Sequence, residues 1–171
     1  MTHLEVIAPA AGEAATRWRL HLLPLELSII EGLPEQLEAL LGDPDNNRRV
    51  IERLFPTRGK PRASQAADRA MLGSSLLDSR KELLSDFRRL LREGQRDAKG
   101  LHIEVDSLGM DVVLRFANDV RMVLATDLDI EKNLDDDPPA SLGRADTAKW
   151  ALLEYLGGIE ALLVDALCRE M

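Results

Sequence analysis

Cysteine, aromatic residues and long apolar runs are all scarce in these 171 residues: there is one Cys, and Phe, Trp and Tyr together make up 4%. A lone Cys168 makes no internal bridge, so the chain is not a disulfide-stapled scaffold. No unbroken apolar stretch reaches the roughly 18 residues of a membrane span. The opening segment MTHLEVIAPAAGE lacks the basic start and long apolar centre of a secretion signal, which makes the cytoplasm the expected location, with no membrane as partner. Basic charge is also in deficit: 22 Lys and Arg against 30 Asp and Glu give a formal charge of -8. Nucleic acid is disfavoured as a partner, since the chain is acidic and no aromatic side chains interleave the basic ones to stack bases.

What the chain does have is apolar content, 45% of residues, which excludes a disordered polymer and suits one domain over residues 1–171. Period-two alternation marks Thr2 to Ile7 and Arg17 to Leu22, where Trp18, Leu20 and Leu22 alternate with Arg17, Arg19 and His21. Residues 1–23 read as a hairpin. Leu101, Ile103 and Val105 mark a third strand over 100–105, which adds to the hairpin because two strands alone are marginal in water.

Residues 24–99 and 106–171 carry helical spacing. Pro24 opens a stripe of Leu25, Ile29, Ile30, Leu33, Leu37, Leu40 and Leu41, which Gly32 and Pro34 should kink or divide. A short helix over Asp45 to Leu54 follows, then a long one from about Ser64 to Arg96. Asp106 or Ser107 caps the next, whose stripe includes Val113, Phe116, Val120 and Leu124. A last helix spans about Ala145 to Arg169. The expected fold is α+β, mainly α: three long and one or two short helices bundled with a small antiparallel sheet of two or three strands.

Charge is segregated along the chain. Residues 1–47 hold eight acids and two bases, residues 48–99 seven acids and fourteen bases, and residues 100–171 fifteen acids and six bases. The basic middle either pairs weakly with its acidic neighbours or presents Arg48, Arg49, Arg53, Arg58, Lys60, Arg62 and Arg69 as a patch for an acidic protein partner or a second copy.

Templates for chemistry fail. The run from Asp127 to Asn133 starts like a calcium loop, but Lys132 stands where Gly makes the turn and Pro138 where the bidentate Glu belongs. Gly59-Lys60 lacks the spacing of a phosphate loop, and no nucleophile elbow occurs. His3, His21 and His102 all fall in strands, on one polar face if the sheet forms, close enough to share a metal or a proton; exposed strand histidines are the default. No catalytic residue, metal ligand or cofactor is assigned.

Two features are less ordinary. Arg80 interrupts the apolar stripe of the long helix and needs a carboxylate or an escape to solvent. Asn118, Asp119 and Arg121 on the following helix offer partners, so Arg80, Asn118, Asp119 and Arg121 form a candidate polar network or pocket, with Arg80 pairing Asp119. Gly157-Gly158, each costing about 1 kcal/mol inside a helix, calls for close approach by another element, first of all one from the same chain.

The segments Arg53-Leu54-Phe55-Pro56, Ile103-Glu104-Val105-Asp106, Phe116 to Thr126 with its Asn-Asp-x-Arg core, and Glu154 to Leu163 together resemble the bacterial domain-of-unknown-function family numbered 2017. The resemblance runs over nearly the whole chain from Trp18. It carries no catalytic residues, and it implies a connection with regulated proteolysis. The expected function is a non-enzymatic interaction or regulatory domain that binds a protein partner or itself as a homodimer, because the helical stripes exceed what one small sheet covers. The alternative is a small-molecule-binding domain with its pocket near Arg80, Asn118, Asp119 and Arg121.

Overall fold

A computed structural model of the chain describes residues 2–7, 17–56, 62–130 and 143–169, with only the backbone described over 62–74. Four antiparallel strands, β1 (His3–Ile7), β2 (Arg17–Leu22), β3 (Gln95–Asp97) and β4 (Gly100–Val105), lie in the order β1-β2-β4-β3. Trp18, Leu20 and Leu22 from β2 and Leu101, Ile103 and Val105 from β4 all turn to the core, each at most 2% exposed. The alternation that marks these strands is thus a burial pattern, and Leu20 opposite Ile103 sets the register.

The helices are α1 (Pro24–Ile30), α2 (Leu33–Gly42), α3 (Arg48–Leu54), α4 (Arg62–Glu93), α5 (Ser107–Asp127) and α6 (Arg144–Cys168). The fold is α+β and mainly α, as its sequence patterns imply. Pro24 opens α1, and the Leu23 N–H donates to the Glu26 carboxylate at 2.8 Å. Gly32 and Pro34 divide this region into two helices instead of bending one, since Pro34 has no N–H to give the preceding turn. Asp106 caps α5 by accepting from the Gly109 N–H at 2.9 Å.

Three details differ from the sequence pattern. The described residues hold three short helices, not one or two, because Gly32 and Pro34 split the first into α1 and α2. The long helix stops at Glu93, not Arg96, and the sheet gains a fourth strand, Gln95–Asp97. Gly94 ends the helix against β4: a Cβ there would stand 2.7 Å from the Leu101 side chain. Asp97 then accepts from the N–H groups of Lys99 and Gly100, at 2.7 and 3.1 Å, and closes the turn.

Helix α5 is central. It packs against α3, α4, α6 and β4. Its Phe116 stacks on Phe87 of α4, and both rings are buried with Leu153, Leu156 and Ile159 of α6. No described helix is long and apolar enough to cross a membrane.

Candidate functional site

Arg80 and Asp119 meet between α4 and α5, with Arg80 Nη1 2.7 Å from Asp119 Oδ2. The Asp119 side chain is 2% exposed, and the contact lacks the alignment of a hydrogen bond. Burial pushes the Asp119 carboxyl up to about 6, against the opposing pull of Arg80 and then Arg115. Arg80 also lies 5.6 Å from the centre of the Phe55 ring and reaches the Leu54 carbonyl at 3.5 Å, so one guanidinium ties α3 to α4 and α5.

Arg121 engages a different helix. It donates to Glu160 of α6, and both side chains are mostly buried. Gly157 makes room for it: a Cβ at Gly157 would stand 3.3 Å from Arg121 Nη2. Asn118 is exposed. The four residues singled out in sequence thus divide, with one ion pair toward α4, another toward α6, and Asn118 facing solvent. Gly158 has open space beyond it.

The basic segment is fastened rather than free where it is described. Arg48 donates to Glu52 at 2.9 Å, Arg49 to Asp129, and Arg53 to the Ile130 carbonyl at 2.6 Å. The last two bonds hold α3 to the end of α5. Arg58 and Lys60 lie outside the described residues, as do the side chains of Arg62 and Arg69 and the calcium-like run beyond Ile130.

The histidines form one rung across the sheet, His3 opposite His21 and His21 opposite His102. The expectation of exposed strand histidines fails for His21, which is 7% exposed. It is roofed by His102, stacked at 4.3 Å, and by His3, whose Nδ1 lies 3.3 Å from His21 Nδ1. Among the described residues no three His, Cys, Asp or Glu side chains are placed to hold a metal ion.

Sequence reasoning missed an apolar groove of about 610 Å³ between α1 and α2 on one side and α5 and α6 on the other. Leu25, Ile29 and Leu40 form one wall; Val123, Ala151 and Leu152 form the other. Leu25, at 74% exposed, and Ile29, at 44%, open its first wall to solvent. Its signal was the surplus of apolar stripes, which pointed to uncovered surface without locating it. The groove's charged groups are already occupied within the chain. Glu26 accepts from Leu23 N–H and from the N–H and hydroxyl of Thr2, and Lys149 donates to Asp127 at 2.8 Å. Thr2 Oγ1 also lies 2.5 Å from the Tyr155 hydroxyl, whose ionisation burial pushes up to about 12.

These features define a mainly helical α+β domain with, among the described residues, an open apolar groove and two largely buried ion pairs between helices. The chain belongs to the family described as Domain of unknown function (DUF2017), whose model matches residues 8–167. No curated protein and no solved structure is similar enough to the chain to be matched to it.

Proposed function

We propose that this is a protein-interaction domain whose groove receives the apolar face of a basic amphipathic helix from a partner protein. The observation that carries the reading is the groove itself: an open apolar channel whose charged wall groups, Glu26, Asp127 and Lys149, already have partners in the chain. An occupant that fits must bring little unmet hydrogen-bonding demand, and an α-helix does so because its backbone bonds are internal. The walls come from the two acidic parts of the sequence: α1 and α2 carry Glu26, Glu35 and Glu38 with no Lys or Arg, and Arg88 of α4, which pairs with both Glu35 and Glu38, offsets only part of that charge. Basic residues flanking the partner's apolar stripe complement that charge. The connection with regulated proteolysis comes from the family resemblance alone, and a domain that presents such a groove is compatible with it.

Selection from a phage-displayed library of helical peptides tests this reading. Enriched peptides should carry apolar residues at i, i+3, i+4 and i+7 with Lys or Arg beside them. They should lose about tenfold or more in affinity on Ile29→Glu or Ala151→Glu, two exposed positions on opposite walls. Absence of enrichment, or binding indifferent to both substitutions, sinks the proposal. Sedimentation at micromolar concentration separates the self-association reading: a purely 19.0 kDa species removes the homodimer.

One observation favours the small-molecule alternative near Arg80, Asn118, Asp119 and Arg121: Asp119 Oδ1 is buried without a hydrogen-bond partner. A donor-bearing ligand that raises the melting temperature of the wild type, and not of Asp119→Ala, supports it.

A further inference from the structure

His21 uses both ring nitrogens. Its Nε2 lies 3.2 Å from the Lys99 carbonyl oxygen, which only accepts, so the ring proton sits on Nε2. Nδ1 is left as an acceptor 3.3 Å from His3 Nδ1, and His3 donates. This pair tolerates one added proton, because one N–H still faces one lone pair whichever ring is charged. A second proton turns two N–H groups toward each other across the same gap and sets two cations side by side. His102, stacked on His21, adds a third when it ionises.

The carboxylates on this face are committed elsewhere. Asp97 of β3 lies 3.3 Å from His102 Nε2, and Glu5 of β1 and Glu104 of β4 pair with Arg19 of β2 at 3.6 and 2.6 Å. Glu26 of α1 is bonded to Thr2 and Leu23. Among the described residues no carboxylate forms an ion pair with His3 or His21, and Arg19 on the next rung adds positive charge. Histidine is the side chain that ordinarily gains charge between pH 5 and 8.

Strand β1 carries His3 at the sheet edge, held on one side only by β2. Its neighbour Thr2 bonds Glu26 of α1 and meets Tyr155 of α6, one residue from each wall of the groove. The start of β1 therefore ties the two walls together. Burial pushes the Glu26 carboxyl up, but the Leu23 N–H, the Thr2 hydroxyl and the Thr2 N–H outweigh it, and the net shift is downward. The Thr2 end of the tie thus stays ionic to lower pH than the histidine range.

We propose that β1 is a pH-sensitive strap: a second proton on the His3–His21 pair lifts β1 from β2 and unlinks the two walls of the groove. Its consequence for binding rests on the groove reading above; release of the strap does not. In acid the walls lose their tie, and the groove is less preorganised for its helix.

Amide hydrogen exchange of Leu4, Glu5 and Val6 in the full chain, corrected for intrinsic rates, at about pH 7.5 and about pH 5, decides the matter. In the wild type, protection of β1 should fall about tenfold or more relative to β4 in acid. In His21→Gln, whose amide serves the Lys99 carbonyl without titrating, protection should be the same at both pH values. Unchanged protection in the wild type overturns the strap, and so does a loss that persists in His21→Gln. Should that buried substitution prevent folding, His3→Gln at the exposed edge provides the same comparison. Library-selected peptides should bind the wild type about threefold or more weakly in acid and bind the variant equally at both pH values. If no peptide binds at either pH, the groove reading falls while exchange still judges the strap.

Discussion

Gly157 of α6 leaves vacant the volume that the Arg121 guanidinium of α5 fills. A Cβ there would stand 3.3 Å from Nη2 and 3.4 Å from Cζ. The neighbouring Gly158 faces open space. Adjacent glycines of one helix should therefore respond oppositely to alanine. Gly158→Ala removes backbone freedom from the unfolded chain and should stabilise by about 0.5–1 kcal/mol. Gly157→Ala should lose that gain or reverse it, because the Arg121–Glu160 pair must shift. Urea unfolding of the two variants measures the difference, and equal stabilisation by both would refute the packing argument.

Asp119 makes stability depend on pH in the less common direction for a carboxylate. Its carboxyl is raised from 3.8 to about 6 by burial, so the folded state holds a proton that the unfolded state releases. The stabilisation is full below 3.8 and is lost as pH rises through about 6. Asp119→Asn should flatten the stability profile across that window, which urea midpoints taken at several pH values will show.

Arg80→Ala removes the partner of a buried carboxylate. The cost should be roughly 3–5 kcal/mol near neutral pH and smaller in acid, where Asp119 neutralises itself. A loss independent of pH would mean that Arg80 acts through its contacts with Phe55 and Leu54 rather than through its charge.

Gly100 adopts φ 136°, and a Cβ on it would sit 2.0 Å from the Leu22 carbonyl oxygen. The obstructing atom is backbone, so nothing flexible yields. Gly100→Ala should cost more than about 2 kcal/mol and broaden or abolish cooperative unfolding, as thermal melts will record.

Among the three arginines of α3, Arg53 should matter most to stability. Arg53→Ala strips the Ile130 carbonyl of a charged donor, at about 1–2 kcal/mol. Arg49→Ala should change stability by less than about 1 kcal/mol, since its pair with Asp129 is exposed. Equal effects in denaturant titrations would contradict the assignment.

Most of the fold was legible because its signals are local. Alternation at Trp18, Leu20 and Leu22, the Pro24 start, the Pro34 break and the Asp106 cap act over a few residues and appear in the structure at those positions. The Gln95–Asp97 strand was hidden because its residues are all exposed and leave no alternation to detect. Arg80 was visible as a charge out of place on an apolar stripe. Grouping it with both Asp119 and Arg121 failed because two residues along a helix advance by about 200°, which turns Asp119 and Arg121 to different neighbours.

The sequence by itself determined which segments are helix and strand, Gln95–Asp97 apart, which faces are apolar, and that the apolar faces exceed what the sheet can cover. Only the tertiary structure decided where the excess falls. The groove between α1–α2 and α5–α6, the Thr2 tie across it, and the meeting of His3, His21 and His102 all join residues distant in the chain. Periodicity reports each element's own face, whereas these features depend on how faces are apposed, and that is set by packing among elements rather than within any of them.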